Sequence, residues 1–405
     1  MRTLLRPADI FHACMASFIA GAFAVAQGWN VAVIFFILST AAVLAATVLQ
    51  KSGRIAMAVC LVPATFVFSA AYCHVRIGVP FMGASSGPSR SSLADGIALS
   101  PGFSFLPYRN AALLAAFVGG STRRLPKDMR DAMERSGTSY LVGMYGYKLH
   151  LLAEAVTTAF AYILPRGIAI VTGLIGIACF VAAAGAPVSA VRAGIMIAFV
   201  SLAGLTGRRS DRTAALLLAA FLMIFWDPAV CGNAGFLLSF TSLAGIYLLA
   251  PALKACLVSC GARIRSIALS RAADSRVGRI TGEIFGFHLT ASAGVNLAIL
   301  PIVARLDGSF PLISFASNVF AALPFGAMFG LGAGLALAGT AVPASSMIFA
   351  SPLNAILAYE TMVIRMTAAL PLGVPSAAFP PFAIAAYYAG LAAFMWRFGA
   401  KGRRP

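Results

Sequence analysis

The chain has 405 residues, of which 60% are hydrophobic and only 10% are charged, and its formal net charge is +18. A water-soluble protein of this length cannot enclose so much apolar surface, so the composition excludes a soluble globular class. Apolar runs of roughly 17–25 residues, long enough to cross a bilayer, recur along the whole sequence. We therefore predict an all-α integral membrane protein, a polytopic helical bundle with about twelve transmembrane helices.

The predicted spans follow one another with short polar or Pro- and Gly-containing connections. They lie at 10–27, 30–49, 55–73, 139–163, 167–184, 190–206, 213–227, 232–253, 284–303, 311–341, 348–370 and 380–397. With a cytoplasmic N-terminus, the connections on the inner side are the basic ones, as the positive-inside rule requires. No small-residue cleavage site separates the first two runs, so we expect no removable signal peptide.

The segment 75–138 is exterior in this topology and yet holds far more Arg and Lys than Asp and Glu. The sequence LPKDMRDAMERSG places Pro126 at a helix start and Gly137 at a helix end. The preceding AALLAAFVGG is too short to span, so we expect an interfacial or re-entrant segment near 106–136. The charge predicts a polyanion or anionic lipid head groups as the partner of this surface. Its candidate contact residues are Arg123, Arg124, Lys127 and Arg130.

The span predicted at 311–341 is interrupted by proline and rich in glycine. Pro324 breaks the helix near Asn318, and interrupted helices at membrane depth line a cavity or are buried in protein. Small residues at four-residue spacing let another helix approach closely. Tight packing and a pathway lining both remain open for this span. Its glycine ladder is Gly326, Gly330 and Gly334.

Polar side chains inside other predicted spans are expected to bond neighbouring helices or to snorkel to the membrane surface. Asn296, Glu360 and Arg365 belong to the first kind, with Glu360 and Arg365 read as a pair. Arg192 lies near the exterior start of its span, where its side chain is expected to snorkel to the interface. Asn318 is expected either to bond a neighbouring helix or to line a pathway at the adjacent break.

The span predicted at 139–163 carries an unusual number of ionisable side chains. Tyr147, His150 and Glu154 share one face of a helical wheel, and Lys148 lies at its margin. An isolated charge facing lipid costs at least ~2.5–3.5 kcal/mol, so this face should meet protein or water. One alternative is a His150–Glu154 pair that fixes helix packing. The other is a path for single-stranded nucleic acid, with rings that stack on bases and cations that attract phosphates.

Three stretches together resemble the ComEC family of competence proteins. GGSTRRLPKDMRDAMERSGTSYLVGMYGYKLHLLAEA (119–155) resembles the family's Gly-Asp-x-x-x-Leu, polar helix and Gly-Thr-x-His-Leu-Leu-Ala-x-Ser-Gly-x-His. Residues 186–246 resemble its Ser-x-x-Arg-Ala-x-x-Met, Gly-Arg-x-x-Asp, Asp-Pro and Gly-Phe-x-Leu-Ser-Phe, and 300–324 its Pro…Phe…Asn…Pro stretch. The matches cover residues 111–330 in the family's order. The resemblance implies a multi-pass channel in the bacterial cytoplasmic (inner) membrane that admits one strand of external DNA during natural transformation.

The chain departs from the family pattern in its most polar motifs. Ser121 stands where the family has Asp, Tyr140 where it has His, and Tyr145 to Lys148 where it has Ser-Gly-x-His. A two-residue shift aligns the last family His with His150 instead, and both registers remain open. We prefer a lining of cations and aromatic rings. The DNA-binding or channel-lining residues that the resemblance then implies are Tyr140, Tyr145, Gly146, Tyr147, Lys148, His150, Arg192 and Asn318.

The resemblance also implies partners and a division of labour. The partners are single-stranded DNA, membrane lipids, a DNA-receptor protein outside, an ATP-dependent translocase inside and a separate nuclease. We expect no cofactor, no metal and no enzymatic activity, because the sequence has no catalytic or metal-binding motif. The OB-like and metallo-β-lactamase-like domains often attached to this family are expected to be missing. The alternatives are a small-solute permease or lipid-interacting protein that keeps the fold without DNA transport, and a purely structural assembly subunit.

The predicted organisation has four segments. Residues 1–74 form N-terminal transmembrane helices, and 75–138 form the exterior basic connection with short amphipathic helices. Residues 139–345 form the competence channel core. Residues 346–405 form C-terminal transmembrane helices and a basic tail.

Overall fold

The computed structural model describes residues 7–26, 101–120, 122–143, 145–207, 211–264, 276–341, 346–370, 372–375 and 380–399. The spans predicted at 30–49 and 55–73 lie outside these residues. The chain forms two compact units. One comprises Met1–Ser89, Val156–Ile175 and Ala190–Leu237, and the other comprises Arg90–Ala155, Gly176–Ser189 and Leu238–Pro405. The segment boundaries predicted at 74, 138 and 345 remain predictions.

The described residues are almost entirely helical. The helices of the first half are α1 (Pro7–Ala26), α2 (Tyr108–Gly119), α3 (Lys127–Ser136), α4 (Ser139–Val142), α5 (Tyr145–Ala161), α6 (Arg166–Ala183), α7 (Val188–Leu205) and α8 (Arg212–Trp226). Those of the second half are α9 (Ala234–Ala244), α10 (Ala250–Ile264), α11 (Arg276–Leu306), α12 (Ser314–Ala322), α13 (Phe325–Ala341), α14 (Ser346–Ala368) and α15 (Pro381–Gly399). A π-helical segment, Gly245–Leu249, joins α9 to α10. Short strands β1 (Ser309–Pro311) and β2 (Gly373–Pro375) pair antiparallel, with Phe310 opposite Val374.

Several of these helices are long and apolar enough to cross a membrane. Among the described residues there are five, or six if the bent pair α12–α13 counts as one span: Arg166–Ala183, Val188–Leu205, Ala234–Leu257, Gly286–Leu306 and Ser346–Ala368. The protein is therefore an all-helical, multi-pass membrane protein apart from its small strand pair.

The predicted number of about twelve spans is not confirmed. Two of the predicted spans fall outside the described residues. The apolar helices Arg212–Trp226 and Phe382–Phe398 are shorter than a full span. The span predicted at 139–163 is divided into α4 and α5, because the chain turns at Gly143 before α5 begins at Tyr145.

The local signals around α3 are confirmed. The helix begins after Pro126, and Gly137 ends it in the left-handed conformation, with φ +71°. A Cβ at Gly137 would lie 2.5 Å from the Cβ of Ser314, so the close approach of α12 also requires glycine there. Met129 and Met133 are buried on one side of α3, while Lys127 and most of its charged residues are exposed on the other.

The core of the second unit surrounds α2. This helix is short, as predicted, but protein encloses it, because Leu113, Leu114 and Phe117 are at most 1% exposed. The helices α3, α13 and α14 supply the surrounding apolar side chains. Central members of this core are Met129, Met133, Phe325, Met328, Leu335, Leu353, Leu357 and Ile364.

Polar side chains attach the start of α12 to its neighbours. Asn296 on α11 donates to the carbonyl of Ser314 at 3.2 Å, and the Ser314 hydroxyl donates back to the Asn296 amide oxygen at 3.2 Å. Ser317 donates to the carbonyl of Ser136 at the end of α3, at 2.7 Å. Asn296 thus bonds a neighbouring helix, as predicted, and α12 is held on two sides.

The span predicted to bend at Pro324 does so. The helices α12 and α13 meet there at 46°. Two of the glycines spaced four residues apart in this span face side chains of other helices rather than the backbone of a neighbouring helix. A Cβ at Gly326 would lie 2.9 Å from the Tyr147 hydroxyl, and one at Gly334 would lie 2.7 Å from the Phe349 ring. Gly330 has open space around it.

A close backbone crossing between two helical segments lies elsewhere in the second unit. A Cβ at Gly245 would lie 2.3 Å from the Gly294 carbonyl oxygen, and a Cβ at Gly294 would lie 2.8 Å from the Gly245 carbonyl oxygen. Sequence reasoning missed this contact. The signal was present, because small residues recur every four positions along α11 at Gly286, Thr290, Gly294 and Ala298.

The crossing allows a paired test within one helix. Gly294→Ala is expected to lower the free energy of unfolding by about 1–3 kcal/mol, because the new methyl group meets rigid backbone. Gly286→Ala has nothing within 4 Å of the added Cβ. It should leave stability unchanged or raise it by up to ~1 kcal/mol through helix propensity. Thermal unfolding of the purified variants measures both effects, and equal shifts would contradict the crossing.

Candidate functional site: a tyrosine edge at the broken span

The first turn of α5 packs at the break between α12 and α13. The Tyr147 ring meets the Phe325 ring edge-on, with centroids 5.6 Å apart. Phe117 on α2 meets the same ring edge-on at 5.7 Å. The absence of a side chain at Gly326 leaves the space that the Tyr147 hydroxyl enters. The structure therefore brings together two features that are far apart in sequence, the polar face of α5 and the break at Pro324.

One face of α5 remains open beside this contact. Tyr147 is 44% exposed, and His150 and Glu154 are exposed along the same face. No ion pair joins His150 to Glu154, both of which the structure describes. The arrangement thus offers an aromatic ring with a free side and two separate ionisable groups.

Tyr145 and Lys148 lie on the opposite, buried side of α5. The Tyr145 hydroxyl donates to the carbonyl of Gly119 at 3.0 Å. Gly120 has φ +74°, and a Cβ there would lie 1.8 Å from that hydroxyl, so only glycine fits. The end of α2 and the start of α5 are thereby fixed to each other. Gly146, which lies between the buried Tyr145 and the exposed Tyr147, is half-buried.

Lys148 is completely buried. Its Nζ donates to the carbonyl of Val142 at 2.7 Å and lies 4.8 Å from the centroid of the Tyr145 ring. Val142 ends α4, so its carbonyl has no helical donor of its own. A lysine ammonium satisfies such a carbonyl, and an aromatic face stabilises the buried charge. In this structure Lys148 therefore donates a hydrogen bond to a backbone carbonyl of the second unit.

The remaining residues implied by the resemblance are spread over both units. Tyr140 on α4 donates from its hydroxyl to a carboxyl oxygen of Asp307, just after α11, at 2.6 Å. Asn318 on α12 is half-buried, and its Oδ1 has no hydrogen-bond partner among the described residues. Arg192 on α7, in the first unit, is 5% exposed.

The basic surface is grouped around the start of α3. Arg123, Arg124 and Lys127 are exposed, and Arg130 is half-buried. Next to them, Asp128 lies between two arginines.

These two arginines come from separate parts of the chain. Arg109 lies 3.6 Å from the Asp128 carboxylate and Arg365 lies 3.3 Å from it. Sequence reasoning missed Arg365 as a member of this surface and paired it with Glu360. That pairing is wrong, because a five-residue separation puts two helical side chains about 140° apart. Glu360 is instead fully buried, with no hydrogen-bond partner for its carboxyl oxygens among the described residues.

A protein-family model matches more than half of the chain. The family model described as "Competence protein" matches residues 117–401, which include all the helices from α3 to α15. The match extends beyond the stretch 111–330 at its C-terminal end. No curated protein and no solved structure matches the chain. Because the family match covers more than half of the sequence, the chain belongs to the competence protein family, the ComEC-like membrane proteins that its motifs resemble.

Proposed function

We propose that this protein is an inner-membrane channel through which single-stranded DNA enters the cytoplasm during natural transformation. Membership of the competence family suggests a role in DNA uptake in competence. The observation that supports a channel for single-stranded DNA is the open face of α5 at the broken span. There, Tyr147 presents an aromatic ring beside a helix break, which is the kind of irregular backbone that lines membrane pathways.

The chemistry of this face suits a single strand. Each base of a single strand has a π-face that stacks on an aromatic side chain, whatever the sequence. Tyr147 supplies such a ring, and His150 is one helical turn further along the same face. Cations attract the phosphates over a distance set by salt, so the surface of Arg123, Arg124 and Lys127 suits the capture of the strand before entry.

The buried residues have a supporting role in this proposal. Tyr145 and Lys148, which stand where the family has Ser and His in one of the two possible registers, bond the backbone of Gly119 and Val142. They hold the first turn of α5 in place, and Tyr147 between them is thereby turned outward. Asn318 and Arg192 remain candidates for other parts of the path.

Other proteins complete the proposed system. A DNA-receptor protein outside would deliver the strand, a separate nuclease would remove its complement, and an ATP-dependent translocase in the cytoplasm would pull it inward. The family membership supports the membrane step, and the bacterial inner membrane is the location that this step requires.

A second function also has a specific observation in its favour. Tyr145 and Lys148 are enclosed by protein, so they offer no group to a strand in this structure, and in the unshifted register they replace the family's Ser and His. A permease for small solutes, or a lipid-interacting protein that keeps the competence fold, needs no such groups. This alternative predicts normal DNA uptake when the gene is deleted.

The experiment that separates the two functions is uptake of labelled DNA into the cytoplasm of a deletion strain, with and without a plasmid copy of the gene. We expect deletion to abolish cytoplasmic label and complementation to restore it, while DNA bound at the cell surface stays unchanged. Uptake at the wild-type level in the deletion strain would contradict the channel and favour the alternative. Loss of surface-bound DNA would place the protein at the capture step instead.

A further inference from the structure

Pro324 removes a hydrogen bond from the broken span. In a continuous helix the carbonyl of Phe320 would accept from the N–H of residue 324, but proline has no N–H. The hydroxyl of Tyr359, on α14, donates to this carbonyl at 3.2 Å. A side chain from the neighbouring helix thus supplies the donor that the proline lacks.

The same arrangement occurs at the proline inside α11. Pro301 leaves the carbonyl of Leu297 without its helical donor, since that donor would be the N–H of residue 301. The Tyr387 hydroxyl, on α15, donates to this carbonyl at 2.8 Å. The adjacent carbonyl of Ala298 accepts from Tyr388 at 2.9 Å. In two spans, therefore, a carbonyl that proline leaves without its helical donor accepts a hydrogen bond from a tyrosine hydroxyl of another helix.

The physical need for these donors is specific to a membrane. A carbonyl that loses its helical partner in a soluble protein is often satisfied by water, but hydrocarbon contains none. An unsatisfied carbonyl in that setting carries a large desolvation penalty, so a bend stays in place only where another donor reaches it. A tyrosine reaches such a carbonyl across a helix interface while its ring packs in apolar surroundings.

We infer that Tyr359 and Tyr387 are positioning residues that hold the break at Pro324 and the helix around Pro301 by replacing the hydrogen bonds those prolines remove, and that Tyr388 adds a second bond beside Pro301. Tyr359 fixes the break at which Tyr147 meets Phe325. Tyr387 and Tyr388 hold α11 against α15 at Pro301. The inference concerns the shape of the bundle and does not depend on the transported substrate.

Double-mutant cycles in the full-length protein test the inference. The first cycle combines Tyr359→Phe with Pro324→Ala, and the second combines Tyr387→Phe with Pro301→Ala. Each phenylalanine keeps the ring and removes only the hydroxyl, and each alanine restores the backbone N–H. The crossed pair of Tyr359→Phe with Pro301→Ala serves as the matched control, since Tyr359 bonds a carbonyl at Pro324 and not one at Pro301. Thermal unfolding in lipid nanodiscs is the first readout.

We expect Tyr359→Phe alone to lower the melting temperature by about 2 °C, the shift typical of one lost hydrogen bond. In the Pro324→Ala background the same change should have no further effect, because the N–H of residue 324 then bonds Phe320. In the second cycle, Tyr387→Phe should likewise have no further effect on the melting temperature in the Pro301→Ala background. In the crossed control, the two changes in melting temperature should add. Additive effects in both matched cycles would overturn the inference, and the second cycle decides if Pro324→Ala fails to fold.

Spin-label distances give a readout that general destabilisation does not move. Labels at positions 316 and 333, both exposed on α12 and α13, report the bend in a variant whose seven native cysteines are replaced. Tyr359→Phe should broaden the distance distribution, and Tyr387→Phe should leave it unchanged. Identical distributions in the parent and in Tyr359→Phe would show that the hydroxyl does not hold the bend.

Discussion

Lys148→Glu is expected to remove most of the folded protein from the membrane. The Lys148 ammonium is enclosed and donates to the Val142 carbonyl, so a glutamate there would place one acceptor against another. A buried charge left without a partner costs about 3–5 kcal/mol, which is a large part of the stability of a typical protein. We therefore expect the amount of membrane-inserted protein to fall at least tenfold, with DNA uptake falling in proportion.

Two controls identify the cause. Lys148→Met keeps the unbranched stem and loses only the donor, so it should cost about 1–3 kcal/mol for the unsatisfied Val142 carbonyl. Lys127→Glu makes the same charge change on an exposed side chain of α3 and should stay within about 0.5 kcal/mol. Quantitative immunoblotting of membrane fractions beside uptake gives both values. Wild-type abundance of Lys148→Glu with uptake lost would instead show that Lys148 contacts the strand.

Tyr147→Ala is expected to have the opposite signature, a loss of DNA uptake with little loss of protein. Stacking on an aromatic ring contributes about 1–3 kcal/mol per base, which corresponds to a factor of about 5–150 in affinity for the strand. The ring is 44% exposed, and its one described ring contact, with Phe325, is an edge-on pair worth only about 0.5–1.5 kcal/mol.

The matched control for this prediction is Tyr162→Ala. Tyr162 follows α5 directly and is 87% exposed, so the substitution Tyr162→Ala removes an exposed aromatic ring from outside the face that Tyr147 shares with His150 and Glu154. It should leave uptake unchanged. Tyr147→Phe and Tyr147→Trp keep a ring and should retain most of the uptake. Equal uptake for Tyr147→Ala and Tyr162→Ala, at equal abundance, would exclude stacking at Tyr147.

The Tyr147 and Lys148 variants together test which residue of the first turn of α5 affects the abundance of the protein and which affects DNA uptake. If the proposed function is right, adjacent residues give different phenotypes: substitutions at Lys148 act on abundance, and substitutions at Tyr147 act on uptake. A helix that merely packs in the bundle would give abundance effects at both positions. A strand path that includes Lys148 would give uptake effects at both positions.

Some features of this protein follow from the sequence because their physics is local. The length of an apolar run sets whether a helix can cross hydrocarbon, so the multi-pass class is predictable from composition and spacing. Pro324 lacks an N–H, so the sequence predicts a break in the helix of that span, and the structure has one there. Pro126 and Gly137 fix the ends of α3 by their backbone preferences. Helical periodicity likewise predicts that Tyr147, His150 and Glu154 share a face, and they are exposed together.

Other features depend on which parts of the chain meet, and only the tertiary structure decided them. The wheel placed Lys148 at the margin of the polar face, and the periodicity of α5 does not show which groups pack against that margin. The chain turns at Gly143, and this turn brings the Val142 carbonyl within reach of the lysine. Arg365 bonds Asp128 on α3, and Tyr359 bonds the carbonyl freed by Pro324. A donor's partner is set by its distance in space, which residue spacing along one helix does not determine.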